Sequence, residues 1–232
     1  MRKTILTILA CVAAMLCQAQ ENPAYRIFTS DGEKTDYGTM LKALSKADVI
    51  FIGETHNCPI SHWIEYEVIS DMARKHPRGL VIGAEMLESD NQLLVDEYVS
   101  GVISSDRFES EAKLWDNHYT DYAPLLYLAR DKGFRFIATN VPRRYASFVK
   151  DNGLDALSGL SDAAKALMAP LPVAYDESTA ENEMFSFMNM MGGHGQQNHY
   201  AEAQALKDAT MAWFIAQNLD GKFIHINGNF HS

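Results

Sequence analysis

Four short apolar runs punctuate the chain, each bounded by charged residues, glycine or proline. They are rich in β-branched or aromatic side chains, a pattern typical of buried strands. The runs cover residues 48–53, 80–84, 134–138 and 222–227. Segments with apolar residues at helical spacing lie between them, at 61–76, 91–100, 122–132 and 201–219, and Pro142 begins a further helix. This alternation predicts an α/β fold with a mostly parallel sheet covered by helices.

One stretch breaks the alternation. Residues 151–200 contain no convincing strand and are rich in Ala, Met and Leu, with Pro170 and Pro172 in the middle. Met and Phe residues cluster at 184–191, and a polar, glycine-rich segment follows them. We therefore predict a small helical lobe, at about 151–200, inserted before the last helix and strand.

The N-terminus has the three parts of a secretory signal. Arg2 and Lys3 precede a short apolar run, and Ala19 is a small residue at the expected cleavage site. The run is too short for a stable membrane span. We predict a signal peptide at 1–19, a single domain at 20–232, and export of the mature protein.

The three cysteines allow a second route of export. Cys11 and Cys17 follow small or apolar residues, so lipoprotein processing is the alternative to simple secretion. The protein would then be periplasmic, or held by a lipid anchor at the outer membrane or cell surface. Cleavage after Ala19 leaves only Cys58, which excludes an intramolecular disulfide and a cysteine-cluster metal site.

Length and charge narrow the class of protein. The 232 residues are enough for one α/β domain with a sizeable core. The formal net charge of −10 argues against a nucleic-acid partner, because such a partner requires a basic face. A small ligand remains compatible with this charge.

Polar side chains lie at the ends of all four predicted strands. They are Glu54 and His56, then Glu85, Asn140 and His231. Since ligands of parallel α/β sheets gather at the carboxyl ends of strands, we expect these side chains to converge on one edge. Carboxylate and imidazole groups can bind a divalent metal or transfer a proton, and they can also form a polar network that only fixes loops.

Other residues are expected around this edge. Gln204 and Asp208 lie one helical turn apart, so one face of the last predicted helix should pack under the site. Arg143 follows Pro142 at a helix start and is available for an ion pair or an anionic ligand. Trp115 and Tyr122 are expected to pack over the sheet.

Several motifs follow one another in a specific order from about residue 48 to residue 232. They are Gly53-Glu54-Thr55-His56, His62, Gly83-Ala84-Glu85-Met86, Gln92, Tyr98, Trp115, Tyr122-Ala123-Pro124-Leu125, Asn140-Val141-Pro142-Arg143, Gln204-Ala205-Leu206-Lys207-Asp208, Thr210-Met211-Ala212 and Gly228-Asn229-Phe230-His231. In this order and spacing they resemble the ChaN-like haem-binding uptake family of the Tiki superfamily.

The resemblance implies an iron-regulated, exported haem-binding protein, often a lipoprotein. It implies a homodimer that holds two haems face to face, with a tyrosine on each iron and a histidine of the other subunit at the propionates. It also implies delivery of haem to a transport system, for which an outer-membrane haem transporter is the expected partner. The wider superfamily includes Tiki-type metalloproteases and erythromycin-esterase-like proteins. A metal-dependent hydrolase that uses Glu54, His56, Glu85 and His231 is therefore the alternative.

The motifs do not assign the haem ligand, so the chemistry of the lobe has to suggest it. Haem needs a flat apolar slot, an axial ligand and donors for its propionates, and the lobe contains all three types of residue. Tyr200 is the first candidate for the axial ligand and Tyr175 is the second. His199 and His194 are candidates for propionate contact or for direct ligation. Met and Phe clusters are also common in ordinary cores.

Overall fold

The computed structural model describes residues 23–176 and 199–231. The predicted signal peptide, the Met-rich part of the lobe and His194 lie outside these residues. The chain divides into two compact units, residues 1–40 and 41–232.

A short hairpin occupies the first unit. Strand β1 (Ile27–Phe28) pairs antiparallel with β2 (Lys34–Thr35). The carboxylate of Asp36 then accepts hydrogen bonds from the backbone N–H of Thr39 at 2.9 Å and from its hydroxyl at 2.8 Å. This interaction caps the start of α1 (Tyr37–Leu44).

A four-stranded parallel sheet forms the centre of the second unit, in the order β3–β6–β4–β5. The strands are β3 (Val49–Glu54), β4 (Leu80–Glu88), β5 (Arg135–Asn140) and β6 (Lys222–Gly228). Every residue of the two central strands is buried, because helices cover both faces of the sheet. The predicted α/β fold is confirmed, and β4 continues beyond its predicted end at Ala84 to Glu88.

Helices flank these strands. They are α2 (Pro59–Lys75), α3 (Gln92–Val99), α4 (Ser105–Glu111), α5 (Ala123–Lys132), α6 (Arg143–Asn152), α7 (Asp162–Lys165) and α8 (Tyr200–Gln217). Local signals set several boundaries: Pro59 occupies the first turn of α2, and Gly133 ends α5 with a φ of 70°. Within 23–176 and 199–231, no helix is both long enough and apolar enough to cross a membrane.

The described part of the predicted lobe, 151–176, belongs to the core around α6 and α8. It contains a 3-10 helix (Leu154–Gly159) followed by α7. Leu157 and Met168 are buried with Val149 of α6 and Leu206 of α8. This packing fixes the start of α8.

Candidate functional site

The five polar residues predicted at the strand ends do come together. Glu54 is level with Gly228 in the β3–β6 register, and Ala84, which precedes Glu85, is level with Ile226. A Cβ atom on Gly228 would lie 2.6 Å from Nε2 of His56 and 3.6 Å from Oε2 of Glu85. Glycine therefore allows these two side chains to meet over the end of β6.

A cleft of about 260 Å³ opens at this edge. Its lining contains carboxylates, imidazoles, the cationic side chains of Arg143 and Lys207, and the aromatic rings of Trp115 and Phe230. The full set is His56, Glu85, Glu88, Trp115, Asn140, Val141, Arg143, Gln204, Lys207, Phe230 and His231. Gln204 and Lys207 confirm that one face of α8 packs at the site. Nε of Arg143 lies 3.8 Å from Oε1 of Glu88, and the arginine side chain is mostly exposed.

An ion-pair triad forms one wall of the cleft. Nε2 of His231 lies 3.2 Å from Oε1 of Glu85, and Nδ1 lies 2.6 Å from Oδ1 of Asp208. The backbone N–H of Gly228 donates to Oε2 of Glu85 at 2.8 Å. Sequence spacing placed Asp208 near the site, but its pairing with His231 depends on how α8 packs against the end of β6.

In this triad, ion pairing shifts the pKa values of His231 and Glu85 more than burial does. Burial disfavours an imidazolium, but the hydrogen bonds to Asp208 and Glu85 raise the pKa of His231 to about 9. Burial likewise opposes ionisation of Glu85, but His231 and the Gly228 N–H lower its pKa to about 2. Near neutral pH, Glu85 is therefore ionised and His231 is an imidazolium.

Glu54 lies behind His56. Its Oε1 is 2.6 Å from Nδ1 of His56 and accepts a 2.7 Å hydrogen bond from the hydroxyl of Tyr122. Burial and the Glu54 carboxylate raise the pKa of Tyr122 far above its ordinary value, so this hydroxyl remains a neutral donor. The ring of His56 packs edge-on against Trp115, with centroids 4.9 Å apart. These contacts turn the His56 imidazole towards the cleft.

Tyr122 and Trp115 are thus more than the packing residues that the sequence predicted. Tyr122 is buried, as expected, but its hydroxyl also fixes Glu54. Trp115 lines the cleft itself.

A second cluster, which we call the cage, lies beneath the cleft and consists of Glu54, His62 and Glu65. All three residues are buried, and one ligand atom from each lies within 4.8 Å of the others. Burial, together with the charge of Glu54, raises the pKa of Glu65 well above its ordinary value. Sequence reasoning quoted His62 only as part of a motif and missed Glu65. Both residues share the buried face of α2 with Ile69 and Met72, but their spacing alone does not show that a glutamate there is buried.

The predicted haem ligands lie near the first turn of α8 and in the lobe. Tyr200 begins α8, and Nζ of Lys150 lies 5.5 Å from its ring centroid. Nδ1 of His199 lies 2.5 Å from Oε1 of Glu202. Tyr175 is partly buried at the end of the first described segment.

The alternative metal-binding set is divided by its own hydrogen bonds. His56 pairs with Glu54, and His231 pairs with Glu85. Both ring nitrogens of His231 are engaged by carboxylates, and an imidazolium has no lone pair with which to bind a metal. The geometry of this set therefore favours charge pairing over a metal centre formed by these four residues.

The fold and the site define a class: a parallel α/β protein with a carboxylate–imidazole cleft at the carboxyl ends of its strands. The family model described as "Haem-binding uptake, Tiki superfamily, ChaN" matches residues 40–232. The chain belongs to this haem-binding family.

Two individual proteins are also similar to this chain. A solved structure described as "Cofacial heme binding to ChaN of Campylobacter jejuni" superposes with a TM-score of 0.66, at 18% identity, over 91% of this chain and 82% of that one. At that identity the likeness supports the shared fold. Protein RETICULATA-RELATED 5, chloroplastic, of Arabidopsis thaliana is 24% identical over 133 residues, or 55% of this chain. The match spans only 18% of that relative's length.

Proposed function

We propose that this chain is an exported haem-binding protein of haem and iron uptake, with Tyr200 as the axial ligand. Membership of the haem-binding family supports the ligand class. Bound haem would supply a ferric iron with an open axial position, for which tyrosinate is a suitable hard oxygen ligand.

The position of Tyr200 on α8 is the observation that carries the assignment. Residues 200, 204 and 207 recur at helical spacing, so Tyr200 shares a face with Gln204 and Lys207, both of which line the cleft. Tyr200 begins the helix about 6 Å, or roughly one turn, before Gln204. His199 belongs to a different face, where it pairs with Glu202. This placement favours Tyr200 over His199 as the ligand.

The cleft contains the other groups that haem requires. Arg143 and Lys207 offer cations for the propionates, and Trp115 and Phe230 offer apolar rings. Among residues 23–176 and 199–231, the cleft measures about 260 Å³, which is smaller than the roughly 300–1,000 Å³ of typical ligand pockets, so these residues alone do not enclose a porphyrin. One haem face would remain exposed, and a second copy of the chain would cover it. We therefore propose a homodimer.

The N-terminal pattern of Arg2, Lys3 and Ala19 supports export. We propose that the mature protein is periplasmic or is lipid-anchored at the outer membrane or cell surface. An outer-membrane haem transporter would be its partner in either place.

Haem titrations of three proteins test the ligand: residues 20–232, the same chain with Tyr200→Phe, and a control with Tyr127→Phe. Tyr127 is a partly exposed tyrosine on α5 and does not line the cleft. We expect the charge-transfer band of tyrosinate-bound ferric haem in the wild type and the control, and its loss with at least tenfold weaker binding in Tyr200→Phe. An unchanged spectrum in Tyr200→Phe would refute Tyr200, and Tyr175→Phe would be the next variant.

A further inference from the structure

The cage of Glu54, His62 and Glu65 contains buried polar atoms that have no hydrogen-bond partner. Oε2 of Glu54, Nδ1 of His62 and both carboxyl oxygens of Glu65 are buried without a hydrogen-bond partner. Such buried atoms are unfavourable, and native proteins contain few of them. Because one ligand atom from each residue lies within 4.8 Å of the others, a shared positively charged species, either a proton or a metal ion, would satisfy them.

The hydrogen bonds of His62 determine which of its nitrogens faces the cage. Nε2 lies 3.0 Å from the backbone oxygen of His56 and 3.3 Å from Oδ2 of Asp121. Both partners are acceptors, so Nε2 donates and Nδ1 faces the two carboxylates, where it would bind a metal ion by releasing any proton that it carries. Metal-binding histidines have this arrangement, with the second ring nitrogen donating to a carbonyl or carboxylate.

We propose that Glu54, His62 and Glu65 form a binding site for a divalent transition-metal ion such as Zn²⁺. Zinc binds nitrogen and oxygen ligands at about 2.0–2.2 Å, which sets tetrahedral ligands about 3.4 Å apart. Nδ1 of His62 lies 3.1 Å from Oε2 of Glu54 and 3.5 Å from Oε2 of Glu65. One imidazole with two carboxylates suits zinc, manganese or ferrous iron better than Ca²⁺ or Cu⁺.

A groove lies beside the cage. The groove has a volume of about 600 Å³, and His62 and Asp121 are among its lining residues. The carboxylate of Asp121 is partly exposed there and would attract a cation. Asn117 holds Asp121 in place by donating to Oδ2 at 2.7 Å.

The site is separate from the proposed haem cleft but shares Glu54 with it. Oε1 of Glu54 bonds to His56 and Tyr122, which leaves Oε2 for the cage. A metal ion could therefore occupy the cage whether or not haem is bound.

Cobalt titration of the full chain tests this site without haem. Co²⁺ is added to metal-free wild type, and its visible absorption bands are followed and then displaced with Zn²⁺. The variants are Glu65→Gln and His62→Gln in the cage, with Glu67→Gln, on the same helix but outside its buried face, as the matched control. Circular dichroism checks that each variant is folded.

We expect one Co²⁺ per chain in the wild type and in Glu67→Gln, and at least tenfold weaker binding in both cage variants. X-ray absorption of the wild-type zinc complex should show nitrogen and oxygen ligands at about 2.0–2.2 Å. This measurement needs no variant, so it decides the matter even if a cage variant fails to fold. Absence of stoichiometric binding, sulfur ligation from Cys58, or equal loss of binding in Glu67→Gln and the cage variants would each overturn the proposal. The first result would mean that the cage holds only a proton.

Discussion

Replacing Glu85 with glutamine removes the charge from a buried ion pair while preserving its shape. Oε1 of Glu85 lies 3.2 Å from Nε2 of His231, and Oε2 accepts the Gly228 N–H at 2.8 Å. The amide oxygen of glutamine can still accept from Gly228. The variant therefore isolates the charge of Glu85 from its hydrogen bond to the backbone.

The pKa values set the size of the effect. The pKa of His231 rises from 6.5 to about 9, and that of Glu85 falls from 4.5 to about 2. A difference of about 2.5 in pKa corresponds to about 3 kcal/mol of free energy. Because both shifts come from the same ion pair, this free energy is counted once. Asp208 contributes part of the His231 shift. We expect Glu85→Gln to lose about 2 kcal/mol of unfolding free energy at pH 6.

The pH dependence has a definite sign. The raised pKa of His231 means that its contribution to stability is complete below pH 6.5 and is lost as the pH rises through about 9. The lowered pKa of Glu85 means that its contribution is complete above pH 4.5 and is lost as the pH falls towards about 2. The difference between wild type and variant should therefore be largest between these limits and should shrink by pH 10.

Urea unfolding at pH 6 and pH 10 measures this difference. Glu111→Gln, at an exposed position on α4, is the control for the change in charge alone. It should alter stability by less than about 0.5 kcal/mol at either pH. If Glu85→Gln lost the same free energy at pH 6 and pH 10, or no more than the control, the charge-pairing argument would be refuted.

Two further substitutions test the packing and hydrogen bonds of the site. Gly228→Ala should lower the free energy of unfolding by about 1–3 kcal/mol, measured by thermal unfolding, because the new methyl would lie 2.6 Å from Nε2 of His56. The NMR signals of His56 should also shift. Unchanged signals would contradict the close approach. Tyr122→Phe should cost about 1–3 kcal/mol in urea unfolding, since it removes the 2.7 Å hydrogen bond to Glu54. Tyr119→Phe, at an exposed position, should be nearly neutral, and an equal loss in both variants would argue against a role for the Glu54 bond.

The sequence predicted the sheet well because its strands form continuous apolar runs, but β3 lies at the edge and is only partly buried, not fully buried as the run at 48–53 indicated. The hairpin of β1 and β2 was missed, since strands of two residues have no periodicity to detect. Helix α4 was missed as well. Phe108 is its only buried residue, and a single apolar position does not define a helical face.

The candidate site was predictable to the extent that strand ends determine it. The rule that ligands gather at carboxyl ends brought Glu54, His56 and Glu85 together with Asn140 and His231. The cage was not predicted, because Glu65 comes from a helix and its burial depends on the packing of α2. Periodicity alone does not distinguish a buried glutamate from a solvated one.

Haem titration of wild-type residues 20–232, followed by absorbance, tests the central claim most directly. The account predicts a Soret shift that saturates at one haem per chain, with the charge-transfer band of a tyrosinate-bound ferric iron. A linear increase with the spectrum of free haem, and no saturation, would contradict the claim that this chain binds haem.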